Sequence, residues 1–286
     1  MSDERPGAAR ALPAALGAVI LWASLASIVA EALSRWPPFL LTGAALLIGS
    51  LVSVREVRKW RVPGRTLALG VAGLAGYHAA LFLALRLAPA VEANLLNYLW
   101  PTFLVLFTPV ILRGTHLRTG HVIGALAGFA GAALIVTRGR LALDPASFRG
   151  HLLAALAAFL WATYSLLTRR VPPYPDAAVG LFCAVSGLVS LGLHALLEAP
   201  YRPSLGELPW LLALGLGPMG AAFFLWNHAM TRGDPRTIGA LSYLTPLLST
   251  LLLTLVGGGR LTAITAVGGA LIVGGAAAGT LASRAR

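Results

Sequence analysis

The sequence predicts an all-α integral membrane protein with ten transmembrane helices arranged as two inverted five-helix repeats. Three observations carry that expectation. The chain is 57% apolar and only 11% charged, with a mean hydropathy of +0.79, whereas a soluble domain is about 25% charged. Its apolar residues fall into ten runs near the roughly 20 residues that span hydrocarbon. The second half echoes the first at a fixed offset. Composition excludes a soluble enzyme, a nucleic-acid-binding domain and a disordered tail, and the short connections leave no room for a second domain within residues 1–286.

The runs cover about 12–30, 37–54, 66–86, 91–112, 121–137, 151–169, 177–197, 209–231, 237–256 and 262–282. The first follows Arg5 and Arg10 as a signal peptide would. It extends from Leu12 to Ala30 and carries Trp22, Ser24 and Ser27, longer and more polar than a cleaved leader, so it is expected to stay as helix one. Basic residues in short loops set orientation. Of the 22 Lys and Arg, 15 fall on one side: the N-terminus, the 54–65 loop, Arg113, Arg118, Arg169, Arg170, Arg232, Arg236, Arg284 and Arg286. That side, with both termini, is expected to be cytoplasmic. The net charge of +12 is therefore a topology signal and requires no nucleic acid. Cys183, alone in the seventh run, excludes an internal disulfide or a Cys-based metal or redox motif and reads as a buried thiol.

The repeat is visible at an offset of 145 residues, where Asn94-Leu95-Leu96-Asn97-Tyr98-Leu99-Trp100-Pro101 falls on Gly239-Ala240-Leu241-Ser242-Tyr243-Leu244-Thr245-Pro246. Gly70, Gly114 and Gly124 fall on Gly215, Gly259 and Gly269, and Leu21-Trp22-Ala23-Ser24 is echoed by Leu160-Trp161-Ala162-Thr163. The copies span 11–140 and 150–283. Five spans per copy make the second copy enter the membrane from the opposite side. Carriers built from inverted repeats bind solute near the midplane and alternate access by rocking one bundle against the other.

These features resemble the drug/metabolite transporter superfamily, within it the EamA-type ten-helix exporters, and among those the YddG-like exporters of aromatic amino acids. The resemblance covers essentially the whole chain. It implies a bacterial inner-membrane exporter with a cavity between helix bundles. One departure is Gly114-Thr115 and Gly259-Arg260, where family members often carry Gly-Glu.

Polar groups in hydrocarbon face a protein interior or a wet cavity. In helix four, Asn94, Asn97, Tyr98 and Pro101 have the spacing of one helical face; Gly239, Ser242, Tyr243 and Pro246 match them in helix nine. Pro101 and Pro246 each remove a backbone donor and are expected to kink their helices, serving as hinges. Trp36, Trp60 and Trp210 lie at span ends and suit an interfacial belt. Trp100, Trp161, Tyr77, Tyr98 and Tyr164 lie deeper and suit either packing or a flat, partly apolar solute with a polar head, such as an aromatic or large neutral amino acid. Trp22 is expected to serve packing. His78 and the pair Asn227-His228 are the other deep polar groups, and His121, His151 and His194 are expected to meet solvent. The expected solute-binding set is Tyr77, His78, Asn94, Asn97, Tyr98, Trp100, Trp161, Tyr164, Asn227 and Tyr243.

No carboxylate reads as mid-span: Glu31, Glu92 and Glu198 lie near helix ends, and Asp144, Asp176, Glu207 and Asp234 in loops. That pattern favours facilitated export over a proton-coupled multidrug or metabolite antiporter. An intramembrane enzyme is the other class. The G-x-S-x-G elbow, the His-Glu-x-x-His helix and clustered Asp residues are absent from the sequence, so no catalytic residue, metal site or cofactor is expected. Nor does a charged ring or filter motif point to a channel. The expected partners are a small-molecule solute and the bilayer. The glycines of helices five and ten suit close helix approach, either within the chain or in a homodimer.

Overall fold

The computed structural model describes residues 8–28, 35–140, 143–257 and 261–284. These form α1 (Ala8–Ile28), α2 (Pro38–Trp60), α3 (Gly64–Leu87), α4 (Ala90–Ile111), α5 (Thr119–Thr137), α6 (Pro145–Leu167), α7 (Asp176–Leu197), α8 (Leu205–Arg232), α9 (Pro235–Leu255) and α10 (Ala263–Ser283). Among the described residues there is no strand, and α2 to α10 are the nine helices long and apolar enough to cross a membrane. The helix α1 has 21 residues, and the apolar stretch recognised in it, Arg10–Leu25, is shorter. Glu31, Gly259 and Arg260, and the side chain of Ser27, lie outside the described residues.

An apolar run becomes a helix here because hydrocarbon offers no partner for a free backbone group, and a helix satisfies its own. Polar caps mark the ends. Asp144 accepts from the Ala146 N–H ahead of α6 at 2.9 Å, and Asp234 from the Arg236 N–H ahead of α9 at 2.9 Å. Arg138 (φ 51°) and Gly139 (φ 73°) turn the chain out of α5 through the left-handed region. Helices α6, α7 and α8 each start with a short 3₁₀ turn, Pro145–Ser147, Asp176–Ala178 and Leu205–Glu207. Hydropathy reads such polar turns as loop, which is why Asp176 and Glu207 belong to helix ends and not to free loops.

Regularity fails at matched places. A π-helical turn interrupts α3 at Ala72–Gly76 and α8 at Gly217–Ala221. The helices α4 and α9 break at Tyr98 (φ −65°, ψ 2°) and Tyr243 (φ −66°, ψ −11°), three residues before Pro101 and Pro246. Each pair lies one repeat offset apart. The Ser242 carbonyl that Pro246 leaves without its helical donor accepts from the Thr245 hydroxyl at 2.8 Å.

Packing follows a paired scheme: α1 lies on α8 and α6 on α3, α1 on α9 and α6 on α4, while α2 meets α7 and α5 meets α10. In the last pair a Cβ on Gly124 would sit 2.5 Å from the Gly275 carbonyl oxygen, and one on Gly131 would sit 2.4 Å from that of Gly268. These glycines therefore serve contact within the chain.

Both ends of the bundle are tied by polar bonds. At one, Glu198 closes α7 with a side chain only 2% exposed. It accepts from the Phe39 and Leu40 N–H groups at the start of α2 (3.1–3.3 Å), from Arg86 of α3 (3.0 Å) and from His194 (2.9 Å). Nearby, His151 of α6 meets Glu92 of α4 at 2.6 Å. At the opposite end Arg169 donates to the Gly233 carbonyl (2.7 Å), Arg170 to that of Ile111 (2.6 Å) and Arg236 to that of His116 (2.5 Å). His121 is buried and bonded to Ser283. The three end-of-span histidines thus have protein partners, where exposure to solvent was expected.

Substituting Gly124→Ala should lower the thermal midpoint in detergent, because overpacking of this kind costs about 1–3 kcal/mol. Gly192→Ala, whose added Cβ meets nothing within 4 Å, should leave it unchanged or raise it.

Candidate functional site

Four tryptophans from four helices converge inside the bundle. Trp22 of α1, Trp100 of α4, Trp161 of α6 and Trp226 of α8 lie so that every pair of rings is 5.2–6.5 Å apart, mostly edge to face. Such contacts are worth about 0.5–1.5 kcal/mol each beyond burial. Two of the ring N–H groups are satisfied within the protein: Trp22 donates to the Pro218 carbonyl at 3.1 Å and Trp226 to the Ser165 hydroxyl at 2.9 Å. Around this core stand Tyr77 (5.3 Å from Trp161), Tyr164 (5.5 Å) and Phe223 (5.7 Å). His78 packs on Tyr77 at 4.9 Å and faces Phe223 at 6.2 Å.

Local sequence explains the convergence. Trp22 and Trp161 come from the repeated Leu-Trp-Ala motif, Trp100 from the turn after the break in α4, and Phe223 and Trp226 from one face of α8, three residues apart. The π turn of α3 lets α6 close in, since a Cβ on Gly73 would meet the Tyr164 ring at 2.2 Å. The His78 Nδ1–H donates to the Leu74 carbonyl of that turn at 2.7 Å.

The structure thus brings together Tyr77, His78, Trp100, Trp161 and Tyr164 of the expected set. Asn97 joins them by donating its Nδ2 hydrogen to the Tyr77 hydroxyl at 3.2 Å, and Tyr98, half-buried, forms the break itself. Asn94 is exposed whereas Asn97 is buried, although both precede the break in one regular segment, Ala90–Asn97; residues three apart sit about 60° apart around a helix, and the edge of the buried face falls between them. Tyr243 stands apart: fully buried against Gly128 of α5, it bonds through its hydroxyl to Thr102 of α4, so it is a joint between α9, α4 and α5. Asn227 is committed elsewhere too, donating to Asp176 (2.8 Å) and accepting from Tyr174 (2.6 Å). Asp176 also holds His228 (2.9 Å) and Arg232 (3.0 Å). Burial and the charge of Asp176 raise the Tyr174 phenol above its ordinary value, so that phenol stays a donor. At the same end burial raises the Asp234 carboxyl, but its bonds from Arg236 outweigh that and hold it below the usual range.

Sequence reasoning missed Phe223 and Trp226; Trp22, expected to serve packing, packs its ring on all three other tryptophans. The i, i+3 spacing of Phe223 and Trp226 was the available signal, overshadowed by the adjacent Asn227-His228. Trp36, expected in an interfacial belt, is buried against Tyr201 (5.3 Å), whereas Trp210 is exposed. Cys183 is buried as expected.

A model of the EamA-like transporter family matches the chain twice, at residues 9–137 and 148–279. The chain belongs to the EamA-like transporter family. It is accordingly a multi-pass membrane protein. This EamA-like chain is 40% identical over 276 residues to the aromatic amino acid exporter YddG of Ancylobacter novellus, covering 93% of this chain and 96% of that one. It is 28% identical to the protein of the same name from Salmonella typhimurium, covering 84% and 86%. A solved crystal structure at 40% identity superposes with a TM-score of 0.92, covering 97% of this chain and 98% of that one.

Tyr243→Phe should cost this transporter about 1–2 kcal/mol by leaving the Thr102 hydroxyl without its partner. Pairing it with Thr102→Val should cost less than the sum of the two single changes, as read from thermal midpoints.

Proposed function

We propose that this chain exports aromatic and large neutral amino acids, with related small metabolites, across the bacterial inner membrane by alternating access. The solute crosses unchanged, so the protein is not an enzyme, and it runs down its own gradient. The observation that carries this reading is the aromatic cluster, drawn from helices of both matched halves and set between two polar-bonded ends. Relatives named for aromatic amino acid export, similar over nearly the whole chain, support the solute class.

In this reading α1 completes ten spans, and five spans per half make the copies 11–140 and 150–283 inverted. The paired π turns, the paired breaks at Tyr98 and Tyr243 and the reciprocal packing of α1 on α8 and α6 on α3 support it. The end bearing Arg118, Arg169, Arg170, Arg232 and Arg236 is cytoplasmic, as are both termini. Tyr77, Asn97, Tyr98, Trp100, Trp161 and Tyr164 face the solute, Pro101 and Pro246 supply the hinges, and a single copy provides the whole path. Export without a driving ion is supported by the positions of Glu92, Glu198 and Asp176 at helix ends and by the engagement of His78 with a backbone carbonyl.

Reconstituted into sealed vesicles, the protein should equilibrate labelled phenylalanine, tyrosine and tryptophan saturably, return them unchanged, and do so at the same rate with and without an imposed pH gradient. Failure to move all three overturns the assignment. A rate that rises with the gradient overturns uncoupled export in favour of proton antiport.

A further inference from the structure

Asn97 is 8% exposed, and its side-chain oxygen Oδ1 has no hydrogen-bond partner. A buried amide oxygen left unpaired is destabilising, and such an orphan calls for an explanation. The other half of the amide, Nδ2, donates to the Tyr77 hydroxyl at 3.2 Å. That hydroxyl accepts from Asn97, so its own proton is left to donate. One acceptor and one donor therefore stand side by side, at the point where the break in α4 meets the π-turned α3 and where the Tyr77 ring touches Trp161 at 5.3 Å.

We propose that Asn97 and Tyr77 form a clamp for the zwitterionic head of an α-amino acid, with the ammonium donating to Asn97 Oδ1 and the carboxylate accepting from the Tyr77 hydroxyl. The clamp rests on the exporter reading above and names the groups that recognise the solute's head. Paired recognition of opposite charges by neutral dipoles suits a membrane interior, where a fixed charge is expensive while the site is empty. The aromatic cluster beside the clamp gives the apolar side chain its surface, and ring faces near an ammonium add cation–π attraction. The bond between the two side chains holds the acceptor and the donor side by side, while each meets its own half of the zwitterion.

Three probes separate the roles in proteoliposomes: L-phenylalanine, phenylethylamine, which keeps only the ammonium, and 3-phenylpropionate, which keeps only the carboxylate. Each is measured as its own competition constant against labelled phenylalanine, with wild type, Asn97→Leu, Asn97→Asp and Tyr77→Phe matched for protein amount. Asn97→Leu should weaken phenylalanine and phenylethylamine by about tenfold or more, the loss of one charge-assisted bond, and leave 3-phenylpropionate within about twofold. Tyr77→Phe should weaken phenylalanine and 3-phenylpropionate and spare phenylethylamine. Asn97→Asp, equal in size, keeps the acceptor and accepts a hydrogen bond from the Tyr77 hydroxyl, so it should shift preference toward phenylethylamine.

Equal weakening of all three probes in Asn97→Leu would mean a structural role, such as holding a water, and overturns the clamp. So does the mirrored pattern, in which 3-phenylpropionate alone suffers, since that places the carboxylate on Asn97. If Asn97→Leu does not fold, an unshifted preference in Asn97→Asp overturns the proposal by itself. Wild-type protein that moves phenylalanine while showing any of these results leaves the exporter reading standing without the clamp. Wild-type protein that moves no aromatic amino acid overturns both.

Discussion

Hydrocarbon gives no hydrogen-bond partner to a backbone group that leaves its helix, and the rest of this structure depends on that constraint. Every interruption of helical order inside a span must be sheltered by protein. Among the described residues, α2 passes into a 3₁₀ stretch at Leu51–Trp60, and four interruptions come in repeat-matched pairs, the π turns at Ala72–Gly76 and Gly217–Ala221 and the breaks at Tyr98 and Tyr243. Three of them are covered by neighbouring helices: Tyr164 lies on the Gly73 turn, Trp22 bonds the Pro218 carbonyl, and Thr102 and Gly128 meet Tyr243, while Thr245 of the same helix bonds the Ser242 carbonyl. The places where backbone regularity fails are thus also the places where side chains from different helices crowd together. A carrier needs such places, since irregular backbone at membrane depth is tolerated where it is buried or lines a path.

The aromatic cluster grows out of these interruptions. Trp100 follows one directly, Tyr77 and His78 follow another, and Phe223 and Trp226 lie just past a third. Four indoles from α1, α4, α6 and α8 give a broad apolar surface with several edge-to-face options of similar energy. Such a surface can exchange ring–ring contacts within the protein for ring–ring contacts with a solute at small net cost. The polar bonds at the two ends work differently. Glu198 joins α7 to α2 and α3 at one end, and Asp176 joins α7 to α8 at the other. Each is a compact set of directional bonds that is either made or broken, the kind of element that gives a conformational change two discrete states.

Much of this was legible in the sequence because membranes simplify the code. Run length and charge placement gave the helices, and the shared Tyr-Leu-x-Pro and Leu-Trp-Ala motifs gave the duplication and its offset. Trp100, Trp161, Tyr77 and Tyr164 were legible as a group because they lie too deep for an interfacial belt. What was not legible depends on neighbours. The repeat mates Tyr98 and Tyr243 share the Tyr-Leu-x-Pro motif and a break at the same place, but Tyr243 meets Thr102 and Gly128 while Tyr98 stays half-buried. Asn227 reads as a deep polar group until Tyr174 and Asp176, some fifty residues earlier in the chain, fold over it. The i, i+3 pair Phe223 and Trp226 needs α1 and α6 beside it before it counts as part of a site. Asn94 fell off the expected stripe although it shares an unbroken helical segment with Asn97, because periodicity gives a shared face but not where neighbouring helices stop covering it.

The central claim is that solute meets the protein at the indole cluster and not at the α9 joint. Equilibrium binding of labelled L-phenylalanine to purified protein tests it most directly, comparing Trp100→Ala and Trp161→Ala with Tyr243→Phe. The account predicts about tenfold or greater weakening in each tryptophan variant and wild-type affinity in Tyr243→Phe. Wild-type affinity in both tryptophan variants, or a loss confined to Tyr243→Phe, would contradict it.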